Sequence, residues 1–322
     1  MQRRLFLAAA AAAMVPAAAV HAEIYPSKTI RVVLPGPPGG LLDVAARSLS
    51  DAMQRELGQT WLIDPRPGAN GILAAQLVLG APADGYTLYL TVSGHVVLNL
   101  LMRAPFDAMA DFRPIAMVGV SSALICVPPA SPANTIAEFV ALARANPGKL
   151  NYLNPGNGTS AHLIPEQLRI KYGIDITSIS YKGLPPGVQD LLGGRLDLAI
   201  VSTALAGPHV KAARLKAIGV VGLKRDRDLP DVATMEEQGE GDLQVQSSIP
   251  ILGQKGLPDA IVERLNKAVN RALADPEVRT RLAHASIEPM PMSPRELDEA
   301  MRREHERLGK LIRQLGITAD GA

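Results

Sequence analysis

Cysteine is all but missing from this sequence: Cys126 is the only one among 322 residues, so an intramolecular disulfide and any CxxC metal or redox motif are excluded. Aromatic residues are scarce at 3%, with a single tryptophan, Trp61. Net charge is nearly absent as well. Lys plus Arg is 33 against 31 acids, and Arg3 and Arg4 lie in a leader that reads as removable, which leaves the two signs equal at 31. A chain without a basic excess offers no broad surface to nucleic acid. Past residue 22 no apolar run approaches the ~20 residues of a spanning helix.

Catalytic signatures are missing too. The sequence holds no G-x-S-x-G elbow, no H-E-x-x-H and no P-loop lysine motif. The histidines beyond the leader, His95, His162, His209, His284 and His305, are too dispersed for a metal cluster. The acidic stretch Glu236, Glu237, Glu240 and Asp242 lacks the tight oxygen-ligand spacing of a calcium loop and reads as a solvated segment. The expectation is a protein with no catalytic residues, no metal and no cofactor.

What is present is a globular composition, 47% hydrophobic and 20% charged. Residues 1–22 run from Met-Gln-Arg-Arg through the apolar stretch Leu5 to Val20 to the small residue Ala22, the order of a secretory signal peptide. Pro16 and the shortness of the run argue against a membrane anchor. Arg3-Arg4-Leu5-Phe6-Leu7 also resembles a twin-arginine signal, so two export routes stay open. The remaining chain, about 300 residues, exceeds the usual single domain, and two domains are expected.

The apolar periodicity predicts α/β units. Strands are expected at Ile30–Leu34, Trp61–Ile63 and Tyr86–Leu90, with a helix carrying Leu42, Ala45, Ala46, Leu49 and Met53 after the first. That rhythm predicts a parallel sheet. A second set starts near Ala123, with strands at 124–127, 150–153, 176–179 and 196–201. Thr135 and Glu138 have the spacing of a capping box, as do Ser293 and Glu296 around Pro294. Ile261, Val262, Leu265, Ala268, Val269, Ala272 and Leu273 form one helical stripe. Residues 224–246, charged and dotted with glycine, read as a crossover between lobes.

Two glycine-rich segments carry most of the functional information: Pro35-Gly36-Pro37-Pro38-Gly39-Gly40-Leu41-Leu42-Asp43 and Asn154-Pro155-Gly156-Asn157-Gly158-Thr159-Ser160-Ala161-His162. Each follows a strand and opens a helix. Glycine admits close backbone approach, and a helix start offers unpaired N–H groups with about half a positive charge, so both suit an anion such as a carboxylate. Gly156, Gly158 and Ala161 also match a dinucleotide fingerprint, but no acid ends the next strand, which closes on Ser180-Tyr181-Lys182-Gly183. A Ser160–His162 hydrolase pair is disfavoured, because residues two apart at a helix start do not face each other. His95, just past the third strand, and His162 are placed where side chains face an interdomain cleft.

Together with Tyr25-Pro26-Ser27-Lys28, Arg66-Pro67-Gly68-Ala69-Asn70-Gly71, Ala83-Asp84-Gly85-Tyr86-Thr87-Leu88 and Asn146-Pro147-Gly148-Lys149-Leu150-Asn151-Tyr152, these loops make a recognisable series. Tyr181-Lys182-Gly183, Asp190-Leu191-Leu192-Gly193-Gly194, Leu229-Pro230-Asp231-Val232 and Ala274-Asp275-Pro276-Glu277-Val278-Arg279 continue it. The chain resembles the extracytoplasmic solute-binding proteins of tripartite tricarboxylate transporters, the Bug family, over all of its length past the leader. The resemblance implies an α/β, two-lobed periplasmic binding protein fold of the type II kind, with the ligand cleft between lobes. Lobe one would hold residues 24–125 and 245–322, and lobe two 126–244. The ligand would be a small carboxylate, a di- or tricarboxylate or an aromatic or other organic acid. Partners would be the membrane permease subunits or, in a sensory role, a sensor kinase, with the protein monomeric in the periplasm.

Carried over by residue, Pro38, Gly39, Gly40 and Leu41 would present backbone from lobe one, with Ser93 and His95 beside them. Asn157, Gly158, Thr159 and Ser160 would face them from lobe two, with Tyr181 at the cleft edge. Lys182 either pairs with a ligand carboxylate or is a surface lysine. Four positions depart from the family pattern: Gly36 replaces an aromatic residue, Val201 and Ser202 an Asp-Asn pair, and Ser248 a tryptophan. Without the acid at 201 the expectation leans away from amino acids, and without the two rings the cleft is expected to be roomier.

Overall fold

The computed structural model describes residues 25–222, 224–243, 245 and 247–317, so the expected signal peptide lies outside the described residues. Strands β1 (Ile30–Leu34), β2 (Trp61–Pro65) and β3 (Thr87–Leu90) form where the apolar runs predict them. β1 pairs in parallel with both of the others. The sheet they begin is mixed, however, in the order β11-β4-β10-β3-β1-β2. Its antiparallel half consists of β4 (Phe112–Ser121), β10 (Ser247–Gln254) and β11 (Ile287–Pro289). β10 is chain returning from the other lobe, so it enters the sheet from the opposite end.

The second set builds a separate layer. β5 (Ala123–Val127) lies between β8 (Ala199–Ser202) and β9 (Lys216–Val221), antiparallel to both, and β6 (Leu150–Asn154) pairs in parallel with β7 (Ile176–Ser180). A bridge between Tyr152 and Leu198 joins these two pieces. The expected strand at 196–201 is therefore split, with Leu198 serving β6 and the residues from Ala199 serving β5.

Helices cover both sheets. α1 (Leu41–Leu57) buries Leu42, Ala45, Ala46, Leu49 and Met53, the expected stripe, and ends on Gly58. α2 (Ile72–Leu79) and α3 (Leu98–Leu101) follow β2 and β3. α4 (Ile136–Ala145) starts on Thr135, whose hydroxyl accepts the Glu138 amide, but the Glu138 carboxylate takes the Asn134 amide, so the expected box closes one residue early. α5 (Ser160–Tyr172), α6 (Leu184–Leu192) and α7 (Thr203–Lys211) sit on the second layer. α8 (Asp259–Ala274), α9 (Pro276–His284) and α10 (Pro294–Gln314) return to the first, and at α10 the Ser293–Glu296 box is complete. No helix among the described residues is long and apolar enough to cross a membrane.

Burial explains why the two layers hold together. One apolar cluster under the first sheet joins α1 to α8 and α9 through Leu49, Met53, Leu265 and Val269. A second runs continuously from Val97 and Leu101 to Tyr152, Ala161 and Leu163 of the other layer. Each fully buried side chain of this size contributes roughly 1.5–3 kcal/mol. Gly119 lies against backbone: a Cβ there would lie 2.2 Å from the Glu288 carbonyl, so only glycine lets β11 pair with β4.

Candidate ligand cleft between two helix starts

The second glycine loop is held by side chains beneath it. Asn154, buried at the end of β6, accepts the Gly156 amide at 3.0 Å and donates to the Asn157 side chain and to Ser178. His162 Nδ1 accepts the Gly158 amide at 3.2 Å, which puts the ring proton of a neutral imidazole on Nε2. Burial is the chief cause that lowers the His162 pKa, while Glu166 opposes it, so the neutral ring is favoured. The Thr159 hydroxyl donates to the Gly156 carbonyl at 2.8 Å.

These bonds show which donors of the loop are already in use. The Gly158 amide and the Thr159 hydroxyl are already used within the loop. Among the donors left for a ligand are the amides of Ser160 and Ala161, in the first turn of α5, where no intrahelical partner exists. The same holds for the first loop. Gly39 donates its amide to the Asp43 carboxylate at 2.9 Å, and Gly40 donates to the Pro37 carbonyl, so the first-turn amides of Leu41 and Leu42 carry the positive end of α1. Burial opposes ionisation of Asp43, yet the Arg47 guanidinium and the Gly39 amide together outweigh it and hold this carboxyl below its ordinary value.

The second loop meets lobe one across the cleft. Asn70, in the left-handed conformation at φ 53, donates Nδ2 to the Asn157 carbonyl at 3.0 Å. A Cβ on Gly94 would stand 3.4 Å from the Gly158 carbonyl, and one on Gly158 would stand 2.5 Å from Leu101 Cδ1. Gly158 has φ +81, so both its conformation and its space require glycine. Ser160 Oγ lies 3.3 Å from Ser247 Oγ. On the other side of Asn70, a Cβ on Gly71 would meet Pro35 at 3.2 Å, which ties this bridge to the start of the first loop.

Of the residues expected at the cleft, Ser93 lies next to Gly94 against the second loop, and Tyr181 joins that loop by donating its amide to the Asn154 carbonyl. The Tyr181 hydroxyl is bound to Asp190, and Lys182 is exposed. Pro38 and Gly39 are exposed and Gly40 and Leu41 half-buried; among the described residues no hydrogen bond joins them to lobe two. Ser202 ends β8 beside Ala123, and Ser248 shares with Ser93 the wall of a separate cavity of about 390 Å³ that is rich in methionine. His95 is a correction. It is 4% exposed, bound through Nε2 to the Ala108 carbonyl, and packed edge-on against Tyr89 and Phe112, so it belongs to the core.

Asn70, Asn154 and Ser247 are the residues that sequence reasoning missed. Asn70 had a usable signal, an Asn-Gly step in the loop that follows β2. Ser247 had none, because its neighbour Ser248 attracted attention as the replacement for a ring.

The fold is shared with known proteins. The model of the tripartite tricarboxylate transporter family receptor matches residues 45–317. BugT of Bordetella pertussis is 30% identical over 303 residues, covering 93% of each chain. A Rhodopseudomonas palustris protein solved with adipate superimposes with a TM-score of 0.85 at 29% identity, over 91% of this chain and 99% of that one. MatC of the same species, with bound malate, gives 0.81 at 30% identity over 89% and 100%. The chain therefore belongs to the tripartite tricarboxylate transporter receptor family.

Proposed function

We propose that this protein is an exported receptor that encloses a small carboxylate between its lobes and presents it to the membrane permease subunits of a tripartite transporter. The observation that carries the reading is the contact of the second glycine loop with lobe one through Asn70, whose neighbour Gly71 stands beside Pro35 at the start of the first loop, each loop opening a helix whose first-turn amides are unpaired. Such amides bind a carboxylate without a dedicated cation. Adipate and malate in the relatives' structures support that class of ligand.

Lobe one comprises residues 24–125 and 245–322, and lobe two 126–244. Sheet membership supports the two-part division, since β1–β4, β10 and β11 share one sheet and β5–β9 build the other layer, although the boundary at 125 falls inside β5. Residues 1–22 direct export to the periplasm. The protein binds without a chemical step: Ser160 meets Ser247 and His162 serves the Gly158 amide, so these two do not form a nucleophile–base pair. Capture follows from differential contact, because only the lobes brought together surround the ligand.

A thermal-shift screen against mono-, di- and tricarboxylates and amino acids tests the reading. A ligand that binds only the native state raises the melting temperature. A saturable rise with one carboxylate class is expected; a rise with amino acids alone overturns it.

A further inference from the structure

A cavity of about 390 Å³ lies between α10 and the antiparallel half of the first sheet, and Gly241 of the crossover completes its wall. No residue of either glycine loop lines it, so it is separate from the carboxylate cleft. Its volume is within the roughly 300–1,000 Å³ of small-molecule sites, which are mostly apolar with a few placed polar groups.

Methionine dominates the apolar part of the wall. Four of the ten methionines in the chain converge here: Met117 from β4, Met290 and Met292 from the segment after β11, and Met301 from α10. The Met290 amide donates to the Val118 carbonyl, which holds that segment against β4. Thioether side chains are flexible and polarizable, so they adapt to the shape of a guest and make favourable contacts with aromatic rings. A wall with four of them suits a flat ring.

The polar groups limit the ligand further. Glu304 and Arg307, the charged residues in the wall, pair with each other at 2.8 Å, so an ionic ligand would have to break that pair. Ser93 is buried and already engaged. Ser248 is different. Its neighbour Ser247 turns its hydroxyl to Ser160, and the alternation of β10 sends Ser248 to the opposite face, where it stands across from Val120 of the same wall. Ser248 is half-buried, and its hydroxyl makes no hydrogen bond with any described residue and is not sealed from solvent. It is the polar group that a guest in the cavity can reach.

We propose that this cavity is a second small-molecule site, which takes an uncharged aromatic molecule of one or two rings that carries a hydroxyl group. The ring packs on Met117, Met290, Met292 and Met301, and its hydroxyl meets that of Ser248.

Calorimetric titration of the protein with 2-naphthol tests this. Saturable binding with one molecule per chain is expected. Ser248→Ala keeps the space and removes the hydroxyl, so it should weaken binding roughly threefold to tenfold. Ser248→Trp places a large ring in the wall and should abolish binding. Should that variant misfold, Met292→Gln, at a half-buried position, serves instead: it keeps the length of the side chain, replaces the thioether by an amide, and should weaken binding by about threefold or more. Absence of saturable binding to the parent, or unchanged binding in Ser248→Ala, in Ser248→Trp or in Met292→Gln, overturns the site. None of these outcomes bears on the carboxylate reading, which rests on the glycine loops outside this wall.

Discussion

Asn70 and Asn157, separated by 87 positions in the chain, are joined by a single hydrogen bond of 3.0 Å from one side chain to the other's carbonyl. The bond links the turn after β2 to the second glycine loop, and therefore one lobe to the other. Both residues are accessible enough that water replaces the bond when the lobes separate. Asn70→Gly, which keeps the left-handed backbone without a strained Cβ, should therefore weaken carboxylate binding by about 0.5–1.5 kcal/mol, a several-fold loss, with little change in unliganded stability. Calorimetry beside thermal melting separates the two effects; unchanged affinity would mean that the bridge plays no part in closure.

Asp43 anchors the first loop through the Gly39 amide, while its partner Arg47 is 61% exposed. An exposed cation adds little to stability. Asp43→Ala should cost about 1–3 kcal/mol, because a loop anchor in a buried place is lost, and Arg47→Ala less than about 1 kcal/mol. Urea unfolding of the two variants decides the order, and equal costs would contradict the anchoring role.

His162 acts on its loop as an acceptor rather than as a base. His162→Phe leaves the buried Gly158 amide without a partner and should destabilise by about 1–3 kcal/mol. His162→Gln, which retains an acceptor, should recover part of that loss. If Gln is no better than Phe in denaturant unfolding, packing rather than the hydrogen bond explains the residue.

His95 gives the stability a pH dependence. Burial is the main reason its imidazole is held down to about 4 from the ordinary 6.5, with the Ala108 carbonyl opposing. Between those values the folded ring stays neutral while the unfolded one takes up a proton. The unfolded state binds more protons, so stability falls as the pH falls through this window, by up to about 1.4 kcal/mol per pH unit. His95→Phe should flatten the slope in urea titrations across the window; an unchanged slope would place the proton uptake elsewhere.

Local signals in the sequence were enough for β1, β2, β3, α1, α8 and α10, because each carries a clear apolar period, joined in α1 by a glycine stop and in α10 by a capping box. β4, β10 and β11 were not legible, since Phe112–Ser121 carries a proline and a glycine and Ser247–Gln254 opens on two serines, patterns that pairing overrides. The two glycine loops stood out by composition. Which of their amides remain free did not, because that depends on Asp43, Asn154 and His162 folding back beneath them. His95 misled for a related reason: position after a strand suggested a cleft, while the tertiary packing of Tyr89 and Phe112 took it inside.

The most direct test of the carboxylate-receptor account is a crystal structure of the protein with the carboxylate that raises its melting temperature most. The account predicts one carboxylate group within hydrogen-bond distance of the first-turn amides of α1 or α5, at Leu41 and Leu42 or at Ser160 and Ala161, with Asn70 still bound to Asn157. A ligand held elsewhere, with both helix starts occupied only by water, would contradict it.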